Sequence, residues 1–216
     1  MVGSGIVLDF GGGFTLRRAC TADHVALAMV CLKTGDAGKD ASALEDDPDL
    51  LGLIYTIPYQ IFEPGLAFMV EGPEGVCGYL LGAADTRAFN ARLRESWYPS
   101  LQARFADPGA DASRWQGSDW ARHWIHHPEL DMPVILDAYP SHGHIDLLPP
   151  ARGRGIGRKA MSFLEEKLVE AGSPGLHLQV MPENRGALSF YAALGFAELR
   201  HPSLPRHCVH VVKKLR

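Results

Sequence analysis

Apolar and polar positions alternate along this chain in short blocks whose period switches repeatedly between two and about 3.6. Phe14 to Ala19 reads as a first strand, and Thr21 is placed to cap a helix from Ala22 to Leu32 with Val25, Ala26, Met29 and Val30 on one side. Thr34 to Asp47 is polar and loop-like. A second helix is expected from Pro48 towards Ile61, with Pro58 kinking or ending it. Leu66 to Glu71 and Val76 to Ala84 form two strands around the turn-forming Gly72-Pro73-Glu74-Gly75. A short apolar run, His144 to Pro149, reads as a fourth strand. It precedes a helix in which Ile156, Ala160, Phe163, Leu164, Leu168 and Ala171 recur at helical spacing until Gly172-Ser173-Pro174. Leu176 to Met181 is the next strand, and Arg185 to Leu194 is a short helix closed by Gly195. Phe196 opens a further strand, and Cys208 to Lys214 is the last.

The stretch from Asp85 to Gly143 is too long for a structureless loop, so it is expected to carry helices, Arg87 to Phe105 and Ser113 to His126. All four tryptophans lie in it. The glycine-rich residues 1–13 are expected to be a flexible segment. Residues 14–216 then form a single domain, with a helical insert over 86–142 between the third and fourth strands.

Composition narrows the setting. The length suits one domain with a substantial core, and a net charge of −4 offers nothing to nucleic acid or an anionic membrane. No apolar run spans a bilayer, and no basic leader precedes an apolar one. Four cysteines without paired spacing suit reduced core residues in a cytoplasmic protein. Positive charge gathers in one place, at Arg152, Arg154, Arg158 and Lys159.

Those basic residues belong to Ala151-Arg152-Gly153-Arg154-Gly155-Ile156-Gly157-Arg158, a glycine-rich loop that joins a strand to the first turn of a helix. First-turn N–H groups lack intrahelical partners, the macrodipole favours negative charge there, and glycine lets the backbone approach an anion. The loop reads as a pyrophosphate cradle. It lacks the Lys-Ser/Thr of a P-loop, and its G-x-G-x-G spacing is not the dinucleotide fingerprint.

Arg152-x-x-Gly155-x-Gly157 resembles the cofactor loop of the GNAT superfamily of acetyl-CoA-dependent N-acetyltransferases. Asn184, Ala187, Phe190-Tyr191 and Gly195-Phe196 resemble that superfamily's second cofactor motif. The resemblance implies an α/β (α+β) GNAT fold, with a mixed, splayed sheet flanked by helices. It implies acetyl-CoA as the cofactor, held by backbone at Leu147 and Leu148 and by loop amides from Arg152, Gly153, Arg154, Gly155, Ile156 and Gly157, with charge from Arg158 and Arg154. Tyr191 matches the family's general acid. Asn184 is assigned to the pantetheine arm, to a helix cap, or to both. Asp146 stands where several members keep a base, although a structural, hydrogen-bonded aspartate fits equally, and Asp137, His142 and His144 are weaker alternates.

Pro48-Asp49-Leu50-Leu51-Gly52, Gly75 to Gly82, Ser96-Trp97-Tyr98-Pro99 and Tyr139-Pro140-Ser141 are similar to the C-terminal acetyltransferase-like domain of animal O-GlcNAcase. That animal domain is regarded as a pseudo-enzyme without the phosphate loop, whereas Arg152 to Arg158 carries one here. Two functions follow: acetyl transfer to a primary amine acceptor of unknown identity, or a catalytically silent acetyl-CoA-binding and interaction module. Binding of another nucleotide through the arginine loop is a third, weaker reading. His123-x-x-His126-His127 has metal-like spacing, but no cysteine or carboxylate visibly completes it, so no metal is expected. Edge strands and the tryptophans leave room for a homodimer.

Overall fold

Three glycines with positive φ, Gly11 at 84°, Gly12 at 63° and Gly13 at 80°, turn the chain back on itself near its start. They let β1 (Ile6–Gly11) pair antiparallel with β2 (Phe14–Arg18). The computed structural model describes residues 5–215, and Met1 to Ser4 and Arg216 lie outside the described residues. The expectation of a flexible segment over 1–13 is therefore corrected for Ile6–Gly11. The glycines there serve a tight turn that only residues without a Cβ make cheaply, and Val7, Leu8 and Phe10 pack against the core.

Six further strands complete one sheet: β3 (Ala67–Gly72), β4 (Gly75–Ala83), β5 (Ser141–Leu147), β6 (Gly175–Val180), β7 (Ala197–Leu199) and β8 (Val209–Lys214). Their order is β1-β2-β3-β4-β5-β6-β8-β7, and only the β5–β6 contact is parallel. The helices are α1 (His24–Thr34), α2 (Leu50–Tyr55), α3 (Ile57–Phe62), α4 (Thr86–Arg92), α5 (Tyr98–Gln102), α6 (Asp119–His126), α7 (Ile156–Glu170) and α8 (Arg185–Ala193). The mixed sheet flanked by helices is the architecture expected from the sequence.

Two apolar layers sandwich the sheet. On one face α1, α2, α3 and the insert bury Leu27, Leu50, Ile54, Phe89, Leu101 and Ile125 against Met69, Tyr79 and Leu81. On the other, α7 buries Ile156, Ala160, Leu164 and Leu168 against Leu16, Phe68, Leu80 and Leu178. Because β3 and β4 are covered on both faces, they read as unbroken apolar runs rather than alternating ones.

Several helices depart from expectation. Thr21 opens a short 3-10 turn, and the carboxylate of Asp23 accepts the Cys20 N–H at 2.7 Å, so α1 starts at His24. The helix expected over 48–61 is two. Pro58 has no N–H for the Ile54 carbonyl, and the chain breaks at Thr56 and restarts as α3 with the proline in its first turn. The helix expected over 87–105 is α4, a π-helical turn (Leu93–Trp97) and α5, with Pro99 in the first turn of α5. Ser113 to His126 holds only a 3-10 turn and α6. The insert lies between β4 and β5, one strand later than counted, because β1 precedes them.

The tryptophans lock the insert down rather than offering an open face. All four are half-buried. Trp97 Nε1 donates to the Leu53 carbonyl at 2.8 Å, Trp120 Nε1 to Glu45 Oε1 at 2.9 Å, and Trp124 Nε1 to the Tyr98 hydroxyl at 3.2 Å. No helix among the described residues is long and apolar enough to cross a membrane.

Gly52 is where α2 lies closest to α1: a Cβ there would stand 2.5 Å from Ala28 Cβ and 2.7 Å from Ala28 Cα. Because one contact is backbone, the helices themselves must separate. Gly52→Ala is expected to destabilise the protein by ~1–3 kcal/mol, measured as a lower denaturant midpoint in urea unfolding.

Candidate active site

β5 has a partner on one side only for most of its length. It pairs with β4 from His142↔Ala83 to Leu147↔Gly78, but with β6 only at Ser141↔Leu176 and His142↔His177. Beyond that the two strands part. The Leu148 N–H reaches the Cys77 carbonyl at 2.8 Å, so the residues bonding towards β4 are the even-numbered ones. The backbone edges of Ile145 and Leu147 then face the gap. Leu148, expected from the sequence as a second cofactor contact, gives its N–H to the β4 ladder and does not line the cleft.

The gap opens into a cleft of about 700 Å³. One rim is the glycine loop. Gly153 and Gly155 adopt φ of 71° and 74°, and Gly155 precedes α7 with no side chain capping the helix. The first intrahelical bond of α7 is Lys159 N–H to the Gly155 carbonyl at 3.2 Å, which leaves the N–H groups of Gly155 to Arg158 without an intrahelical acceptor. Gly157 is small for a packing reason, since a Cβ there would meet the Phe190 ring at 3.1 Å. Arg152, Gly153, Gly155, Ile156, Gly157 and Arg158 all line the cleft.

The basic side chains divide. Arg152 donates to the Leu147 carbonyl at 2.6 Å and to the Gly38 carbonyl at 3.0 Å, so its hydrogen bonds go to neutral acceptors. Arg158 is exposed at the rim. Arg154, expected in the same set, donates to the Pro150 carbonyl at 2.8 Å, lies 5.1 Å above the Phe14 ring, and does not line the cleft. A left-handed residue on either side, at Gly153 and Gly155, turns it outward.

Asp146 and Tyr191 meet at the cleft wall. Asp146 is half-buried and accepts the Tyr79 hydroxyl at 2.5 Å. Burial pushes its carboxyl up from the usual 3.8 to about 6, against the opposing pull of Tyr79 and Arg152. Tyr191 is buried, and both burial and the Asp146 charge hold its phenol well above its ordinary value. Asn184 caps α8, accepting the Ala187 N–H at 3.0 Å, and also lines the cleft.

The alternates lie elsewhere. Asp137 pairs with Arg87 at 2.6 Å on the surface. His142 bonds the Thr86 hydroxyl at 2.8 Å, and burial lowers its pKa and takes that of His144 down to about 4. None of the three lines the cleft.

Ala37, Gly38 and Lys39 form a rim that the sequence does not announce. Asp36 and Lys39 exchange backbone hydrogen bonds at 3.0 and 2.8 Å around Ala37 at φ 48° and Gly38 at φ 89°. Both central residues are left-handed, which a two-residue turn of this kind requires. Gly-rich polar composition signals a turn there, but only the tertiary structure sets it against Arg152 and Asn184.

The Acetyltransferase (GNAT) family profile matches residues 132–196, the stretch containing β5, the glycine loop, α7, β6 and α8. The crystal structure of SsHAT superposes with a TM-score of 0.85 at 32% identity, covering 94% of this chain and 99% of that one. The chain belongs to the GNAT acetyltransferase family. Protein O-GlcNAcase of Rattus norvegicus is 24% identical over 186 residues, which is 86% of this chain and 20% of that protein. This chain thus spans about a fifth of the length of the O-GlcNAcases it matches. A phosphinothricin acetyltransferase (Pat) from Sinorhizobium meliloti, solved in complex with AcCoA, shares the fold with a TM-score of 0.53 at 15% identity, covering 94% of this chain and 89% of that one.

The raised Asp146 pKa has a consequence for stability. A carboxyl whose folded pKa lies above its unfolded value holds an extra proton in the folded state, so stability is lost as pH rises from about 4 to about 6 and is level above. Asp146→Asn keeps an acceptor for Tyr79 without that penalty. Its stability relative to the parent is expected to improve across this window by at most ~3 kcal/mol, read by urea unfolding at pH 4 and pH 7. A difference that does not change with pH would contradict the assignment.

Proposed function

We propose that the protein binds acetyl-CoA in the cleft between β5 and β6 and transfers its acetyl group to a primary amine. The carrying observation is that the unpaired backbone edge of β5 runs directly into the uncapped start of α7, within one cleft bordered by basic side chains. The residues suit that ligand from end to end. N–H groups of Gly155 to Arg158 are free to meet a pyrophosphate, with Arg158 and Arg152 supplying charge. Ile145, Leu147 and Asn184 offer backbone and amide partners for an extended, amide-bearing arm. The AcCoA complex of the phosphinothricin acetyltransferase, which shares the fold, is consistent with this use of the cleft.

Bound acetyl-CoA supplies an activated thioester, and the residues at the wall supply the rest. The Leu147 N–H faces the gap, where it can meet the carbonyl oxygen as negative charge develops on it. Asp146, with a pKa near 6, is ionised at neutral pH and accepts the proton an ammonium must lose before its nitrogen attacks. Tyr191 stays protonated at any physiological pH and can donate its proton to the leaving sulfur, whose thiol pKa of ~8.5 makes the help useful rather than indispensable. The C–N bond forms, the oxyanion collapses with breakage of the C–S bond, and the second proton of the attacking nitrogen, acidic once that bond has formed, leaves to water in the open cleft. The proton on Asp146 and the vacancy on Tyr191 are exchanged with solvent through the open cleft.

Calorimetric titration with acetyl-CoA tests the first half. Saturable binding is expected, weakened at least ~100-fold in an Arg152→Ala/Arg158→Ala double variant, since each charged contact is worth ~1.5–3 kcal/mol. Absence of binding by the parent protein would overturn the reading.

Turnover with a panel of primary amines tests the second half. Tyr191→Phe and Asp146→Asn are expected to bind acetyl-CoA normally but to lose ~10- to 1,000-fold in kcat. The low-pH limb of the rate profile, with an apparent pKa near 6, should vanish in Asp146→Asn. Tight binding with no turnover on any amine would instead favour the silent-module reading, which the O-GlcNAcase likeness keeps in view.

A further inference from the structure

Away from the cleft, the loop between α5 and α6 brings a carboxylate to two histidines of α6 and its C-terminal cap. His123 and His127 are four residues apart and share one side of the helix, and their rings stack with centroids 4.4 Å apart. Asp107 approaches both, its Oδ2 lying 2.7 Å from His127 Nε2 and its Oδ1 3.5 Å from His123 Nδ1. One ligand atom from each of the three lies within 4.8 Å of the others.

Ordinary hydrogen bonding does not account for this arrangement. An Asp–His bond explains His127 alone. His123 Nδ1 is buried, lies 3.5 Å from Asp107 Oδ1, too far for a well-formed hydrogen bond, and has no hydrogen-bond partner among the described residues. A buried polar nitrogen without a partner calls for an explanation, an unseen ion among them. The rest of the cluster is held in place. Trp115 stacks on His123 at 4.7 Å and donates its Nε1–H to the Gly109 carbonyl at 2.9 Å, while the Gly109 N–H donates to Asp107 Oδ1 at 2.9 Å. His126, between the two in sequence, faces away and bonds the Phe105 carbonyl at 2.8 Å, tying the same loop to α6.

We propose that Asp107, His123 and His127 form a binding site for one divalent transition-metal ion of the zinc class, which clasps the α5–α6 loop to α6. Two imidazoles and a carboxylate are the donors such ions prefer, whereas calcium and magnesium favour oxygen alone. Bonds of ~2.0–2.2 Å about a tetrahedral centre place ligand atoms ~3.3 Å apart, whereas one ligand atom from each residue here lies within 4.8 Å of the others, so closing on an ion draws the three side chains together. The fourth position is open to water, since the His127 side chain is 54% exposed. None of the three residues lines the cleft, so the ion has a structural role, and its test does not pass through acetyl transfer. The sequence shows the histidine spacing but conceals the site, because its carboxylate comes from a separate segment.

The test uses the full chain without a polyhistidine tag, stripped with EDTA and titrated with Zn²⁺ by calorimetry. One ion per chain is expected, bound at least ~10-fold more weakly by Asp107→Asn and by His127→Gln, but equally well by His126→Gln. Co²⁺ should quench Trp115 emission in the parent and His126→Gln proteins and not in His127→Gln, and Trp115→Phe should abolish that signal while keeping the stoichiometry. Circular dichroism establishes that each variant is folded, and Zn²⁺ should raise the melting temperature of the parent but not of Asp107→Asn. Absence of saturable binding, or binding that survives both Asp107→Asn and His127→Gln, would overturn the proposal.

Discussion

β5 is bonded along its length to β4 but to β6 at only two residues, and the placement of the site follows from that asymmetry. A strand in the middle of a sheet normally has both edges satisfied, and leaving one edge unpaired inside a protein is costly unless a ligand or water takes it. Here the unpaired edge of Ile145 and Leu147 ends where the chain turns through Gly153 and Gly155 into an uncapped helix. Two sets of backbone groups without a partner in sheet or helix therefore line one cleft. Arg152 bridges them, bonding the last carbonyl of β5 and the Gly38 carbonyl on the opposite rim.

The electrostatics of the cleft are graded along it. The loop end carries two guanidinium groups, Arg152, whose hydrogen bonds go to neutral carbonyls, and Arg158, exposed at the rim. The other end carries a carboxylate pushed up by burial and a phenol held protonated, in a wall of apolar residues. Low polarity is what moves both groups away from their ordinary values, and it comes from the same layers that stabilise the sheet. Tyr79 belongs to both: it is buried in the helical-insert layer and donates its hydroxyl to Asp146. Packing and the titration of the wall are thus coupled through one side chain.

The insert is joined to this core by side chains that serve two ends at once. Trp97, Trp120 and Trp124 each bury an apolar ring while delivering an N–H to a group on α2, the loop before it, or α5. Such residues tie short helices, none of which has the length to be stable alone, into one layer. The segmentation of these helices follows from Pro58 and Pro99, which deny the preceding turn a donor and force new starts.

Much of this could be read from the chain itself. The glycine loop, the strand before it and the helix after it are contiguous, so their periodicity and glycine spacing identify that strand–loop–helix unit, and the order of elements identifies the sheet. Local signals also carried Asn184 as a cap and Gly195, at φ 85°, as a helix terminator. What the sequence could not decide involves contact between distant segments. It could not say that Leu148 bonds β4 while Leu147 faces the gap, because that depends on where β6 leaves the sheet. Nor could it say that Arg154 turns to Phe14, that Ala37 to Lys39 closes the far rim, or that Asp107 reaches two histidines from another loop. Periodicity and propensity report on a residue's own neighbourhood along the chain. The direction of a backbone edge, the aim of a long side chain and the meeting of two loops are set by packing, and only the tertiary structure decides them.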